Sequence, residues 1–78
     1  SDMWVRLHAV RFLGQSMKED MLQMLTPMLE DADPPVVLAT IEAIASIGGK
    51  EAFRVLHSLE HHKDETIRNA VAEAFARL

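Results

Sequence analysis

The stretch that decides the fold is residues 33–63, which read DPPVVLATIEAIASIGGKEAFRVLHSLEHHK. An aspartate and two prolines open an apolar run, two glycines close it, and a second amphipathic run follows them. Proline is favoured in the first helical positions and glycine just past the last one, so this stretch predicts a helix over 34–47 and another over 50–62. No segment of the chain alternates apolar and polar residues as a half-buried strand does.

This pattern recurs along the chain with a period of 31 residues. Asp2, Asp33 and Asp64 share one position of the repeat, and the same offset aligns apolar residues on either side of them without a gap. The period predicts units at 2–32, 33–63 and 64–78, each a helix pair except the last, which has one helix. The sequence therefore predicts an all-α fold, an α-solenoid of stacked antiparallel helix pairs with about two and a half repeats and five helices.

The remaining helices are predicted over 3–14, 18–30 and 65–78, and two residues mark irregular points. Pro27 lacks a backbone N–H, so it should loosen the second helix between Gln23 and Pro27. Gly14 is expected to end the first helix.

Helix 34–47 is apolar nearly all round, as expected of the middle unit of a stack, which has a neighbour on each side. The terminal helices show the contrasting pattern. Phe75 and Leu78 at one end, and Trp4 at the other, have no covering helix in the sequence. These uncovered ends predict either self-association or a chain that is a piece of a larger protein, and the start at Ser1-Asp2-Met3 favours the second.

Composition excludes several classes of protein. The chain has 78 residues and no cysteine, which rules out disulfides and thiolate zinc sites. Its apolar fraction of 49% is too high for an intrinsically disordered chain, and no apolar run is long enough for a membrane span. A net charge of −4 makes nucleic acid a poor partner, because such binding depends on clustered lysine and arginine. With no signal-peptide pattern visible, we expect a cytoplasmic protein.

The unit that starts at Asp33 and has small or apolar residues at Ala39, Ala43, Ile44 and Leu56 resembles a HEAT repeat. It is most similar to the short units, of about 30 residues, of phycobilisome-lyase-like proteins. The resemblance covers the whole chain. It implies a solenoid that binds other proteins, with the second helix of each pair on the concave face.

The resemblance also implies structural roles for the aspartate and arginine of the repeated Asp-x-x-Val-Arg start, which tie successive turns together. These positions are Asp2, Arg6, Asp33, Asp64 and Arg68. Val37 replaces the arginine in the middle unit, so the tie should be absent or altered there. Phe12 occupies a position that is alanine in the later units, which predicts a wider gap or a rotated helix in the first unit.

No group of residues indicates catalysis or a cofactor. No serine lies in a glycine elbow, and the glycines form no phosphate-binding loop, so we expect no enzyme activity, cofactor or catalytic site. His57 and His61 are four residues apart in the helix predicted over 50–62, a spacing that can present two imidazoles to a metal. They lack a third ligand nearby, so we expect no metal site. Two other interpretations of this histidine pair remain, a solvated helix end and a pH-sensitive contact surface.

The surface most suited to a partner is an exposed ridge predicted on the second helices. Leu22 and Phe53 share a repeat position that should point partly away from the core, and polar residues flank them: Gln23, Arg54, His57 and His61. The alternative is that the two apolar residues pack against neighbouring helices. The sequence thus favours a protein–protein interaction module; an accessory segment of a multidomain lyase or reductase is the second hypothesis, and a nucleic-acid-binding solenoid the third.

Overall fold

The first helices of the three units begin 31 residues apart. The computed structural model describes residues 2–16 and 18–78. Its helices are α1 (Met3–Ser16), α2 (Leu22–Leu25), α3 (Pro34–Ile47), α4 (Gly49–His57) and α5 (Glu65–Arg77). Short 3₁₀ turns flank α2 at Glu19–Met21 and Thr26–Glu30. Over these residues the fold is all-α, with five helices and no strand, as the sequence predicted.

The helices form two layers. In one layer α3 packs between α1 and α5. In the other layer α4 and the irregular segment that contains α2 both pack against α3. The shortest dimension of the Cα trace is 16 Å. Two helix axes about 10 Å apart, with Cα atoms about 2.3 Å from each axis, account for that thickness. The chain is therefore a short α-solenoid.

α3 is the centre of the core, as its apolar sequence predicted. Eight of its residues are buried, and Ile41 and Ile44 have no solvent exposure. The buried polar residue of this helix, Thr40, donates a hydrogen bond from its hydroxyl to the Val36 carbonyl at 2.7 Å. Because the hydroxyl has a partner within its own helix, it needs none from the neighbouring helices.

The first unit packs closely against α3, and the expected wider gap was wrong. Gly14 does not end α1, which continues to Ser16; it lies buried against Ala43. A Cβ atom placed on Gly14 would lie 2.6 Å from the Ala43 Cβ and 2.9 Å from its Cα. Phe12 does not enter this contact, because its side chain is on the outer face of the helix and is 73% exposed. Glycine at position 14 thus allows the two helices to approach closely.

The second helix is more irregular than the sequence predicted. Pro27 lies in the 3₁₀ turn Thr26–Glu30, and only four residues, Leu22–Leu25, form regular α-helix. Proline removes one backbone donor, and the Thr26 hydroxyl donates to the Leu22 carbonyl at 2.7 Å. The loosening expected between Gln23 and Pro27 is present, and it extends to both sides of α2.

The fourth helix is shorter than predicted, since α4 ends at His57 and not at residue 62. The Ser58 hydroxyl donates to the Val55 carbonyl at 2.5 Å, and three-residue backbone turns continue the chain from Leu59 to His62. A serine that binds a nearby carbonyl competes with the helical pattern. His57 and His61 therefore do not lie one turn apart on a helix, which corrects the expectation from their spacing.

Candidate partner-binding surface

The junction between the first two units is held by an arginine and two carboxylates. The Arg6 guanidinium donates to both carboxylate oxygens of Asp31, at 2.7 and 3.2 Å, and to Asp33 at 2.5 Å. Asp31 is nearly buried, and it also accepts a hydrogen bond from the backbone N–H of Asp33 at 2.9 Å. The Arg6 hydrogen bonds, reinforced by that amide, hold the pKa of Asp31 below its usual value. The sequence assigned the tie between units to Arg6 and Asp33 but not to Asp31.

The three equivalent aspartates precede first helices but do not act alike. Asp2 accepts a hydrogen bond from the N–H of Trp4, and Asp64 accepts one from the N–H of Thr66, both at 2.8 Å. Asp33 makes no such cap to α3. The residue that would donate to it is Pro35, which has no N–H. The two prolines therefore leave the Asp33 carboxylate available to Arg6.

The junction between the second and third units is held differently. Val37 is buried where the first unit has Arg6. Arg68, from the following helix, donates instead to the backbone carbonyl of His62 at 2.6 Å. His62 occupies the position of Asp31, and its Nδ1 accepts the N–H of Asp64 at 3.0 Å. The turn before α5 thus repeats the turn before α3 with an imidazole in place of the carboxylate.

The predicted ridge of Leu22 and Phe53 does not exist as one surface. Leu22 is 3% exposed and lies beside the groove between α2 and α4, near Val55. The neighbouring unit covers it, which is the alternative left open by the sequence. Phe53 is on α4, and no further second helix covers it in the described part of the chain, so it remains 52% exposed. Gln23 is exposed and lines the groove beside Leu22, whereas Phe53 lines a different depression.

The exposed face of α4 brings together an aromatic ring and three basic or imidazole side chains. Lys50, Phe53, Arg54 and His57 line one shallow depression. Their spacing of three, four and seven residues places them on one side of the helix. The Phe53 ring stacks on His57 with centroids 6.1 Å apart and touches Phe75 of α5 at 5.2 Å. We call these five residues, Lys50, Phe53, Arg54, His57 and Phe75, the α4 patch.

The α4 patch has an apolar floor and a basic rim. A second depression shares Lys50 and Phe53 with the first and continues over Phe75 to Arg77 and Leu78. The acidic residues nearby lie at its edges: Glu51 contacts Arg54 at 3.2 Å, and Glu60 lies 3.6 Å from the Nε2 of His57. His61 is in the turn after α4 and is 94% exposed. Its Nε2 lies 3.6 Å from a carboxylate oxygen of Glu60, so it is outside the patch. Lys50 was missed from the sequence-predicted set, although its spacing from Phe53 and Arg54 would have found it.

A family comparison identifies the repeat. Residues 24–78, more than two-thirds of the chain, match the family described as HEAT repeats. The chain belongs to the HEAT-repeat family. HEAT repeats generally mediate interactions between proteins, and the family is typically non-catalytic. The comparisons with curated proteins and with solved structures found no match.

Two further properties of the HEAT chain bear on its partners. None of the helices in residues 2–16 and 18–78 has the length and apolar character that crossing a bilayer requires. Within the same residues, no three histidine, aspartate or glutamate side chains are grouped so that they could hold a metal ion.

Proposed function

We propose that this chain is a protein–protein interaction module whose α4 patch binds an acidic, partly apolar segment of another protein. The observation that carries the proposal is the half-exposed ring of Phe53 between Lys50, Arg54 and His57. Aromatic residues and arginine are enriched at protein interfaces, and Phe53 and Arg54 lie side by side on this face. The chain acts by binding rather than by catalysis.

The charge distribution favours an acidic partner. The whole chain carries a net charge of −4, yet the α4 patch contains Lys50 and Arg54, and Arg77 adjoins it. An acidic segment would be attracted to this patch and repelled by the rest of the surface, which favours one site and one orientation. An apolar side chain of the partner would cover the exposed faces of Phe53 and Phe75 and remove them from water.

The alternatives share this surface. As an accessory segment of a multidomain enzyme, the chain would use the α4 patch to contact the enzyme, and a nucleic-acid partner would use Lys50 and Arg54 for phosphate contacts. We also propose that the chain is a piece of a larger protein and that its repeat units are residues 2–32, 33–63 and 64–78. We propose further that these units are of the short, phycobilisome-lyase-like type.

Three synthetic peptides of equal length test the proposal: an acidic peptide with a central phenylalanine and leucine, its basic counterpart, and the acidic peptide with alanine at both apolar positions. We expect only the first to bind, with amide NMR shifts concentrated on α4. Phe53→Ala and Arg54→Glu should each weaken binding by about tenfold or more. Met24→Ala is the matched control, because Met24 is also an exposed apolar residue but lies outside the patch.

Two results would contradict the proposal. Equal binding of the acidic and basic peptides would show that charge does not select the partner. An unchanged affinity of the Phe53→Ala variant would show that the ring is not the anchor. Preferential binding of a duplex oligonucleotide, lost at moderate salt, would instead favour the nucleic-acid alternative.

A further inference from the structure

The two junctions between units differ at one position near the start of the first helix. At the first junction the Arg6 guanidinium reaches from α1 to the turn before α3, where it binds Asp31 and Asp33. Val37 occupies the position of Arg6 in the next unit. A valine side chain ends at its Cγ atoms, so α3 has no side chain at this position that could bind the turn before α5.

A cleft lies where the arginine is missing. The residues at the three equivalent positions all line it: Val37, His62 and Asp64. The turn before α3 forms the opposite wall, which includes Leu29 and Pro34. Val37 and Ile67 are buried and give the cleft an apolar base. Both walls are turns between units, so the cleft is internal to the stack and is not one of its terminal faces.

The cleft attracts cations. Its acidic lining residues are Glu30, Asp31 and Asp64, and its basic one is Lys63, which is exposed. Arg6 neutralises Asp31, whereas Glu30 and Asp64 have no ion-pair partner within residues 2–16 and 18–78. Two carboxylates therefore remain for a cation from outside, and Lys63 opposes it only weakly because both are exposed to water.

The Asp64 carboxylate can bind a ligand while it caps its own helix. One of its oxygens accepts the Thr66 N–H at 2.8 Å, and a carboxylate has lone pairs for further donors. Asp31 shows this combination at the first junction. One of its oxygens accepts both the Asp33 N–H, at 2.9 Å, and an N–H of Arg6, at 3.2 Å.

His62 alters the site but favours the same kind of ligand. Its Nδ1 accepts the Asp64 N–H at 3.0 Å, so a neutral imidazole carries its proton on Nε2 and cannot accept a hydrogen bond there. The acceptors are therefore the carboxylates of Glu30 and Asp64. A guanidinium suits this set better than an ammonium, because its planar fork can serve two acceptors and stack on a ring.

We propose that the cleft between residues 29–34 and 62–67 binds an arginine side chain of a partner protein, in the place that Arg6 fills at the first junction. The aliphatic part of that arginine would pack on Val37 and Ile67, and its guanidinium would bind Asp64. A free arginine would bring a carboxylate of its own to an acidic cleft, whereas an arginine within a chain does not. The cleft is separate from the α4 patch, and this inference does not rest on the function proposed for that patch.

An NMR titration of the whole chain with N-acetyl-arginine N-methylamide, which has no charged termini, tests the proposal. We expect amide shifts confined to residues 29–37 and 62–68, with a dissociation constant of about 1–10 mM, as suits a single side chain. The neutral citrulline analogue should not bind, and the lysine analogue should bind about threefold more weakly or worse. Free arginine should bind no more tightly than the blocked arginine.

Four variants locate the site. Asp64→Asn, which retains a capping side chain, and Glu30→Gln should each weaken binding by about threefold or more. Val37→Arg should abolish binding by filling the cleft from within the chain. His62→Asp restores the carboxylate of the first junction and should tighten binding by about threefold or more. Glu73→Gln, which changes an exposed carboxylate of α5 outside the cleft, is the matched control and should bind like the wild type.

Several results would overturn the proposal. Equal binding of the arginine analogue and its citrulline or lysine counterpart would show that no guanidinium site exists. Shifts spread over all the acidic residues would show that the cleft is not selected. Free arginine that binds more tightly than the blocked form would assign the cleft to the amino acid and not to a partner protein. If Val37→Arg does not fold, as circular dichroism would show, unchanged affinity of both Asp64→Asn and Glu30→Gln is equally decisive, because these two residues are exposed.

Discussion

Replacing Gly14 by alanine tests the close contact between α1 and α3. The added Cβ would lie 2.6 Å from the Ala43 Cβ and 2.9 Å from its Cα, distances that require one helix to move. Overpacking of this kind costs about 1–3 kcal/mol. Alanine is also the better helix former by roughly 0.5–1 kcal/mol, which offsets part of that cost. We therefore expect Gly14→Ala to lower the free energy of unfolding by about 0.5–2 kcal/mol.

Urea denaturation followed by circular dichroism measures this change, and the melting temperature should fall by about 4–8 °C for each kcal/mol lost. Gln15→Ala is the control, because Gln15 is the exposed neighbour of Gly14 and its substitution should change stability by less than about 0.5 kcal/mol. The sign of the result is decisive. If Gly14→Ala stabilises the protein, helix propensity alone governs the position and the close approach to Ala43 is refuted.

Substitutions at three further positions probe the core and the first junction. Asp31 has a lowered pKa in the fold, so its stabilising effect is complete above its ordinary pKa of 3.8 and is lost as the pH falls through the lower folded value. Asp31→Asn should lower stability at neutral pH and flatten its dependence on pH below about 4, as urea titrations at several pH values would show. Thr40→Val should cost about 1 kcal/mol in the same assay, since only a hydrogen bond within α3 is lost. Ile44→Ala should cost about 2–5 kcal/mol, and Ile44→Val, about 0.5–1.5 kcal/mol, supplies the measurement if the alanine variant does not fold.

The starts of the first helices could be predicted from sequence because local chemistry fixes them. An aspartate that accepts a nearby backbone N–H marks α1 and α5, and two prolines mark α3. These signals need no information about the rest of the molecule. The glycine pair at the end of α3 is equally local, since Gly48 and Gly49 both have a positive φ, of 72° and 89°.

The helix ends and the exposed ridge could not be predicted in the same way. Whether α4 continues past His57 depends on a hydroxyl, that of Ser58, which binds the Val55 carbonyl. Leu22 and Phe53 occupy the same repeat position, but Leu22 is buried, whereas Phe53 is half-exposed and has no further second helix beside it in the described residues. Burial at a given repeat position depends on the unit's place in the stack, which the aligned sequence does not express.

The units share a period but differ in how their junctions are held, and small sequence changes explain the difference. Pro35 lacks the N–H that an aspartate would cap, so the Asp33 carboxylate binds Arg6 of the preceding unit. At the next junction Thr66 supplies that N–H, Asp64 caps its own helix, and Arg68 binds the His62 carbonyl instead. A change in the first turn of a helix thus decides whether its aspartate serves the helix or the contact between units. The backbone period alone places the helices, while these few side chains determine which neighbouring helices are tied together.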